Sequence, residues 1–113
     1  MAFYESIFIL KSSVSEEEAS VVQGKMKEAL EKHGASIIKA ENWGKKKLAY
    51  EIAHDRRGTY AFLQFEAGGN VVSELERLYR LEDSILKFLT VRVDEEALQV
   101  PAVETVESDS GGV

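Results

Sequence analysis

Residues 36–66 read SIIKAENWGKKKLAYEIAHDRRGTYAFLQFE. From residue 36 to about residue 53 the pattern is extended, and Gly44 inside so long a strand predicts a bulge or bend. His54-Asp55-Arg56-Arg57-Gly58 predicts a turn closed by its glycine. TYAFLQFE, residues 59–66, predicts another strand, so the two runs form a hairpin. Everything on either side is read relative to that hairpin.

Upstream, residues 3–11 are dense in β-branched and aromatic side chains and predict a short strand. Ser15-Glu16-Glu17-Glu18 has the form of a capping box, with acids in the first turn, where the helix dipole favours them. Ala19, Val22, Met26, Ala29, Leu30 and His33 recur at three- and four-residue steps, which is one helical face. Glu28 and Lys32 are spaced for an outer ion pair, and Gly34 is a helix stop. Downstream, Gly68-Gly69-Asn70 opens a second helix with Asn70 as the expected N-cap. Its buried face is Val71, Val72, Leu75, Leu78 and Tyr79. Asp83-Ser84 breaks it, and residues 85–93 (ILKFLTVRV) predict the last strand.

The order is β-α-β-β-α-β. The economical packing is α+β: a ferredoxin-like four-stranded antiparallel sheet with two helices on one face. In the first strand Tyr4, Phe8 and Leu10 point to one side and Phe3, Ile7 and Ile9 to the other. Helices cover only one of these sides. Large apolar groups must remain on the other, a candidate partner surface, although scattered apolar exposure is also common.

The chain has 113 residues and a net charge of −6. All 14 Lys and Arg lie within residues 1–93, whereas six of the 20 Asp and Glu lie from Asp94 onward. The body of 1–93 is therefore neutral, with 14 groups of each sign, and 94–113 reads as an acidic disordered tail. A neutral body still binds RNA if its basic groups cluster. With no cysteine, disulfides, iron–sulfur clusters and thiol nucleophiles are excluded. The start, MAFYESIFILK, lacks the features of a signal peptide, and no apolar run approaches the ~20 residues of a membrane span. The expectation is a cytoplasmic protein that binds no membrane.

No catalytic or metal-binding constellation emerges. His33 ends an apolar helical face beside Gly34, where it packs or caps. His54 stands in a turn with no second histidine at ligand spacing. The acids at 16–18 and 94–96 are a helix start and a tail. Gly68-Gly69 lacks the residues of a phosphate cradle. Neither a cofactor, a metal nor a small-molecule substrate is expected. What stands out is basic: Lys45, Lys46 and Lys47 follow the bend at Gly44, flanked by Trp43 and Tyr50, and the turn adds Arg56 and Arg57. Such a stretch suits phosphate contact, and a solvated bend accounts for it equally well. Arg80, Lys87 and Arg92 form a second group, but alternation puts Lys87 and Arg92 on opposite sides of their strand. The aromatic, glycine-rich sequence of an RNA-recognition motif is absent.

ENWGKKKLAYEIA resembles the signature of the sixth protein of the bacterial small ribosomal subunit: glycine, basic residues, then Leu-Ala-Tyr-x-Ile. Tyr4-Glu5, Gly34 after the first helix, Gly58-x-Tyr60 and Tyr79-Arg80-x-x-Asp83 match in order and spacing, so the resemblance spans about residues 3–93. It implies a ferredoxin-like, non-catalytic protein that binds the central domain of small-subunit rRNA as a heterodimer with the eighteenth small-subunit protein. By position it also implies RNA contacts at Tyr4, Lys45, Lys46, Arg80, Lys87 and Arg92; Lys47, Arg56 and Arg57 join these candidates from the basic stretch itself. It implies packing or partner contacts at Leu48, Tyr50 and Ile52, and alternation along the first strand adds Ile7 and Ile9 as partner candidates. The chain departs from the family at Ala2, Glu82 and Leu86, where members carry arginine, and at Glu51, where some carry proline. A weaker direct RNA footprint is therefore expected. The rival reading is a ferredoxin-like homodimeric module that regulates or binds a small ligand.

Overall fold

The computed structural model describes residues 2–52 and 54–94. The acidic tail, apart from Asp94, lies outside the described residues. The elements run β1 (Ala2–Lys11), α1 (Glu16–Lys32), β2 (Ser36–Ile52), β3 (Asp55–Ala67), α2 (Gly69–Leu81) and β4 (Ile85–Val93). They build one antiparallel sheet in the order β2-β3-β1-β4. Both helices lie on one side of it, which is the expected ferredoxin-like arrangement.

Register decides what each face holds. Tyr4, Ser6, Phe8 and Leu10 of β1 stand opposite Phe65, Leu63, Ala61 and Thr59 of β3. This set meets Ala19, Val22, Met26 and Leu30 of α1 and Val71, Leu75 and Tyr79 of α2 in the core. Phe8, Leu10, Leu63 and Phe65 are wholly buried, each stabilising the fold by about 1.5–3 kcal/mol. One polar cluster lies among them. The Tyr79 and Ser6 hydroxyls are 2.7 Å apart, and Ser6 is 2.8 Å from that of Thr90. These contacts join α2 to β1 and β4 and leave no buried hydroxyl unpaired there. The Tyr79 ring packs between Phe8 and Phe88, each with its centroid 5.0 Å away.

The helix ends differ in how they are held. The Ser15 capping box forms with both of its bonds, and Glu28 pairs with Lys32 at 3.8 Å. His33 does not pack: it is exposed, and its Nδ1 lies 2.8 Å from the Ala29 carbonyl at the end of α1. Gly34 takes the left-handed conformation that ends the helix, φ 88°. Asn70 is not the N-cap of α2. The helix begins at Gly69, Gly68 caps it, and no side-chain bond is made. The Gly-Gly pair lets the backbone enter the helix two residues earlier than an N-cap at Asn70 would set.

The hairpin is tighter than the turn residues suggest. Among the described residues of the turn, His54 supplies the positive φ, 71°, and β3 begins at Asp55. Gly58 therefore lies inside the strand rather than in the turn. Its role is close approach: a Cβ there would sit 2.5 Å from Ile9 Cγ2 and 3.0 Å from the Leu10 carbonyl oxygen. We expect Gly58→Ala to destabilise the protein by about 1–3 kcal/mol in urea unfolding. A change below ~0.5 kcal/mol would show that β1 and β3 can separate freely at this point. Burial pushes the Tyr79 hydroxyl well above its ordinary value. Its stabilising effect is full below the unfolded value near 10 and is lost as pH rises past it. Tyr79→Phe should accordingly flatten the alkaline fall in stability measured between about pH 9.5 and 11.5.

Candidate functional site

The second face of the sheet has no helix over it. Phe3, Ile7 and Ile9 of β1 stand opposite Glu66, Phe62 and Tyr60 of β3, and opposite Val93, Leu89 and Lys87 of β4. Part of this face is covered by β2 itself. The register slips between Asn42 and Gly44, where Gly44 has φ 82°. The slip places the Trp43 ring on Phe62, with centroids 4.9 Å apart and planes 15° from parallel. The indole N–H donates to Glu41 Oε1 at 3.1 Å. Phe62 is thereby buried although no helix touches its side of the sheet.

Further along, regular pairing of β2 with β3 lapses between Lys47 and Ile52. The hairpin tip leans over the open face and reaches the far strand. The Lys87 ammonium donates to the Tyr50 hydroxyl and lies 5.2 Å from that ring's centroid. Beneath the tip is a hollow of about 310 Å³ with Ile7, Ile9, Leu48, Tyr50, Ile52 and Leu89 in its lining. All five residues expected to meet a protein partner line this one hollow. Leu48 is buried and belongs to the fold, whereas Tyr50 and Leu89 are 61% and 60% exposed.

The nine RNA-side candidates do not form one patch. Lys45, Lys46 and Lys47 lie on β2, at one edge of the sheet, and alternate between its faces. The Lys45 ammonium donates to the Ser12 carbonyl at 2.9 Å. Arg56 lies 3.8 Å from Glu51 at the hairpin tip, and the exposed Arg57 stands opposite Lys47. At the other edge Arg92 stands opposite Tyr4 on the helix side, while Lys87 faces the open side. Tyr4 packs on Phe65, with centroids 5.7 Å apart, and is half-buried. The Arg80 guanidinium lies 5.4 Å from the Phe88 ring centroid. The basic groups thus border the sheet on both edges, with the apolar face between them.

An open apolar face with basic edges and, among the described residues, no convergent catalytic groups suits assembly rather than chemistry. The profile of the family described as ribosomal protein S6 matches residues 3–92. The chain belongs to that family. It is 38% identical over 94 residues to small ribosomal subunit protein bS6 of Rickettsia rickettsii, covering 83% of this chain and 78% of that one. With the same protein of a Caulobacter species it shares 36% over 103 residues, covering 91% and 82%. The crystal structure of 30S ribosomal protein S6 from Thermotoga maritima superposes with a TM-score of 0.78. The identity there is 31%, and the match covers 97% of each chain. As a ribosomal protein S6 the chain is a structural, non-enzymatic constituent of the bacterial small ribosomal subunit, located on the cytoplasmic ribosome.

Sequence reading missed the stack of Trp43 on Phe62, which commits one face of the indole to the fold. The sign was present: an aromatic next to a glycine inside a long strand marks a bulge that re-aims a side chain. The open face thus has a structural half and a spare half, and substitutions should separate them. Leu48→Ala should cost about 2 kcal/mol or more. Leu89→Ser, at an exposed position, should stay within about 0.5 kcal/mol. Equal losses in denaturant titrations would mean that the whole face is needed for folding.

Proposed function

We propose that this S6 protein binds the central domain of small-subunit rRNA as one half of a pair with the eighteenth small-subunit protein. The single observation that carries this is the hollowed apolar face bordered on both edges by basic groups. Apolar surface on this scale favours a protein partner, because burying it gains roughly 25 cal/mol per Å². The basic groups at the edges suit phosphates, which release counterions when neutralised.

The geometry supports a division of labour. Ile7, Ile9, Tyr50 and Ile52 surround the hollow and would meet the partner protein. Lys46, Lys47, Arg56 and Arg57 at the hairpin end, with Arg92 on the far edge strand, Tyr4 opposite it on β1 and Arg80 on α2, would meet RNA. Lys45 and Lys87 already hold the fold's own oxygens, so their RNA contacts would compete with these bonds. A body with as many acids as bases attracts polyanions weakly alone. Pairing with a second protein supplies both more contact and more charge.

The test is the salt dependence of rRNA binding by the heterodimer. Replacing Lys45, Lys46 and Lys47 with Ala should lower affinity and reduce the slope of log K against log salt by about 2–3. An unchanged slope would show that these lysines face solvent in the complex.

A further inference from the structure

Charge on the open face is sorted along the strand direction. Where β1 begins, Glu5, Glu41 and Glu66 outnumber the one cation, Lys39. At the hairpin end, Lys11 and Lys46 flank Gly58 in adjacent strands, and Lys87 stands opposite Ile9. Among the described residues, no carboxylate lies within the 4.0 Å ion-pair distance of these three lysines. The Lys87 partner, the Tyr50 hydroxyl, is neutral. The exposed side chains of Tyr50, Leu89 and Val91 lie on the same face. The face is thus an apolar strip with an acidic end and an unneutralised basic end.

The chain after Asp94 reads EEALQVPAVETVESDSGGV, with five acids and no Lys or Arg. β4 delivers it at the acidic end, since Val93 stands opposite Phe3. Glu104, Glu107 and Asp109 come later, among Val100, Val103 and Val106. Lys87 lies six residues back along β4 from Val93, about 20 Å at ~3.4 Å per residue. Residues 104–109 follow Asp94 by 10 to 15 positions, a reach of up to roughly 33–50 Å. The tether is long enough, and it gives the acids a local concentration in the millimolar range at those lysines.

We propose that residues 104–109 rest in cis on the basic end of the open face, around Lys11, Lys46 and Lys87, and screen it until rRNA and the partner protein displace them. The screening role rests on the reading of this face as the docking surface; the contact itself does not. The contact depends on exposed charges and therefore weakens within ordinary laboratory salt, where the screening length falls below ~8 Å.

The chain has no cysteine, so Ser108→Cys provides a unique position for a nitroxide label on the full-length protein. At low salt, the amide signals of Lys11, Lys46, Lys87 and Leu89 should broaden more than those of Glu5 and Gln64. The difference should vanish in about 0.5 M salt. It should also vanish when Glu104→Gln, Glu107→Gln and Asp109→Asn are added to the labelled chain. Uniform broadening, broadening centred on Glu5, or broadening that disappears on dilution would overturn the cis contact. In a separate arm, the unlabelled triple variant should bind rRNA with its partner several-fold more tightly at low salt. Selective broadening with unchanged rRNA affinity would keep the contact and overturn the screening role.

Discussion

Two helices cover one face of a four-stranded sheet, and right-handed crossovers put both of them on that same side. The covered face receives Tyr4, Ser6, Phe8 and Leu10 from β1 and closes on a core with its one polar cluster fully paired. The residues between them are committed to the other side by the two-residue period of the strand. Phe3, Ile7 and Ile9 are large and apolar, so the uncovered side could be polar only if those positions changed. The exposed apolar surface is a consequence of how the first strand is written, and the use of that surface follows from it.

The chain handles part of this surface by itself. A bulge at Trp43 and a hairpin tip that leans inward bury Phe62 and Leu48 without a third helix. What stays open is a hollow under the tip and the side chains of Tyr50, Leu89 and Val91. The hydrophobic effect carries no direction, so this remainder alone does not choose a partner. Choice comes from the rim, where basic groups stand on both edges of the sheet, and from the neutral balance of the body. Membership in the ribosomal protein S6 family gives the same picture a biological setting.

The fold was legible because its determinants are local and periodic. The capping box at Ser15, the glycine stop at Gly34 and the alternation along β1 each announced themselves within a few residues. The ends of elements were less legible. Gly58 looked like a turn residue because glycine is common in turns, but its lack of a Cβ is needed for Ile9 to approach from the neighbouring strand. Asn70 looked like a cap because asparagine often is one, but Gly68 holds that position. The open face was half legible. Alternation put Ile7 and Ile9 on the side opposite Tyr4, Phe8 and Leu10, and the folded chain shows that the helices cover the latter. No local pattern could show that Tyr50 crosses to Lys87 on the far strand, a contact between residues 37 positions apart. The basic residues were visible as a list. Their division between two edges and two faces depends on strand order and register, which only the folded chain displays.

Hydroxyl-radical labelling, read by mass spectrometry on the isolated chain and on the same chain inside assembled small subunits, bears most directly on the open face as the surface of assembly. The account predicts that labelling of Tyr50, Leu89 and Val91 falls several-fold on assembly. Labelling of those side chains at an unchanged rate, with protection confined to Val21 and Leu81 on the helical side, would contradict it.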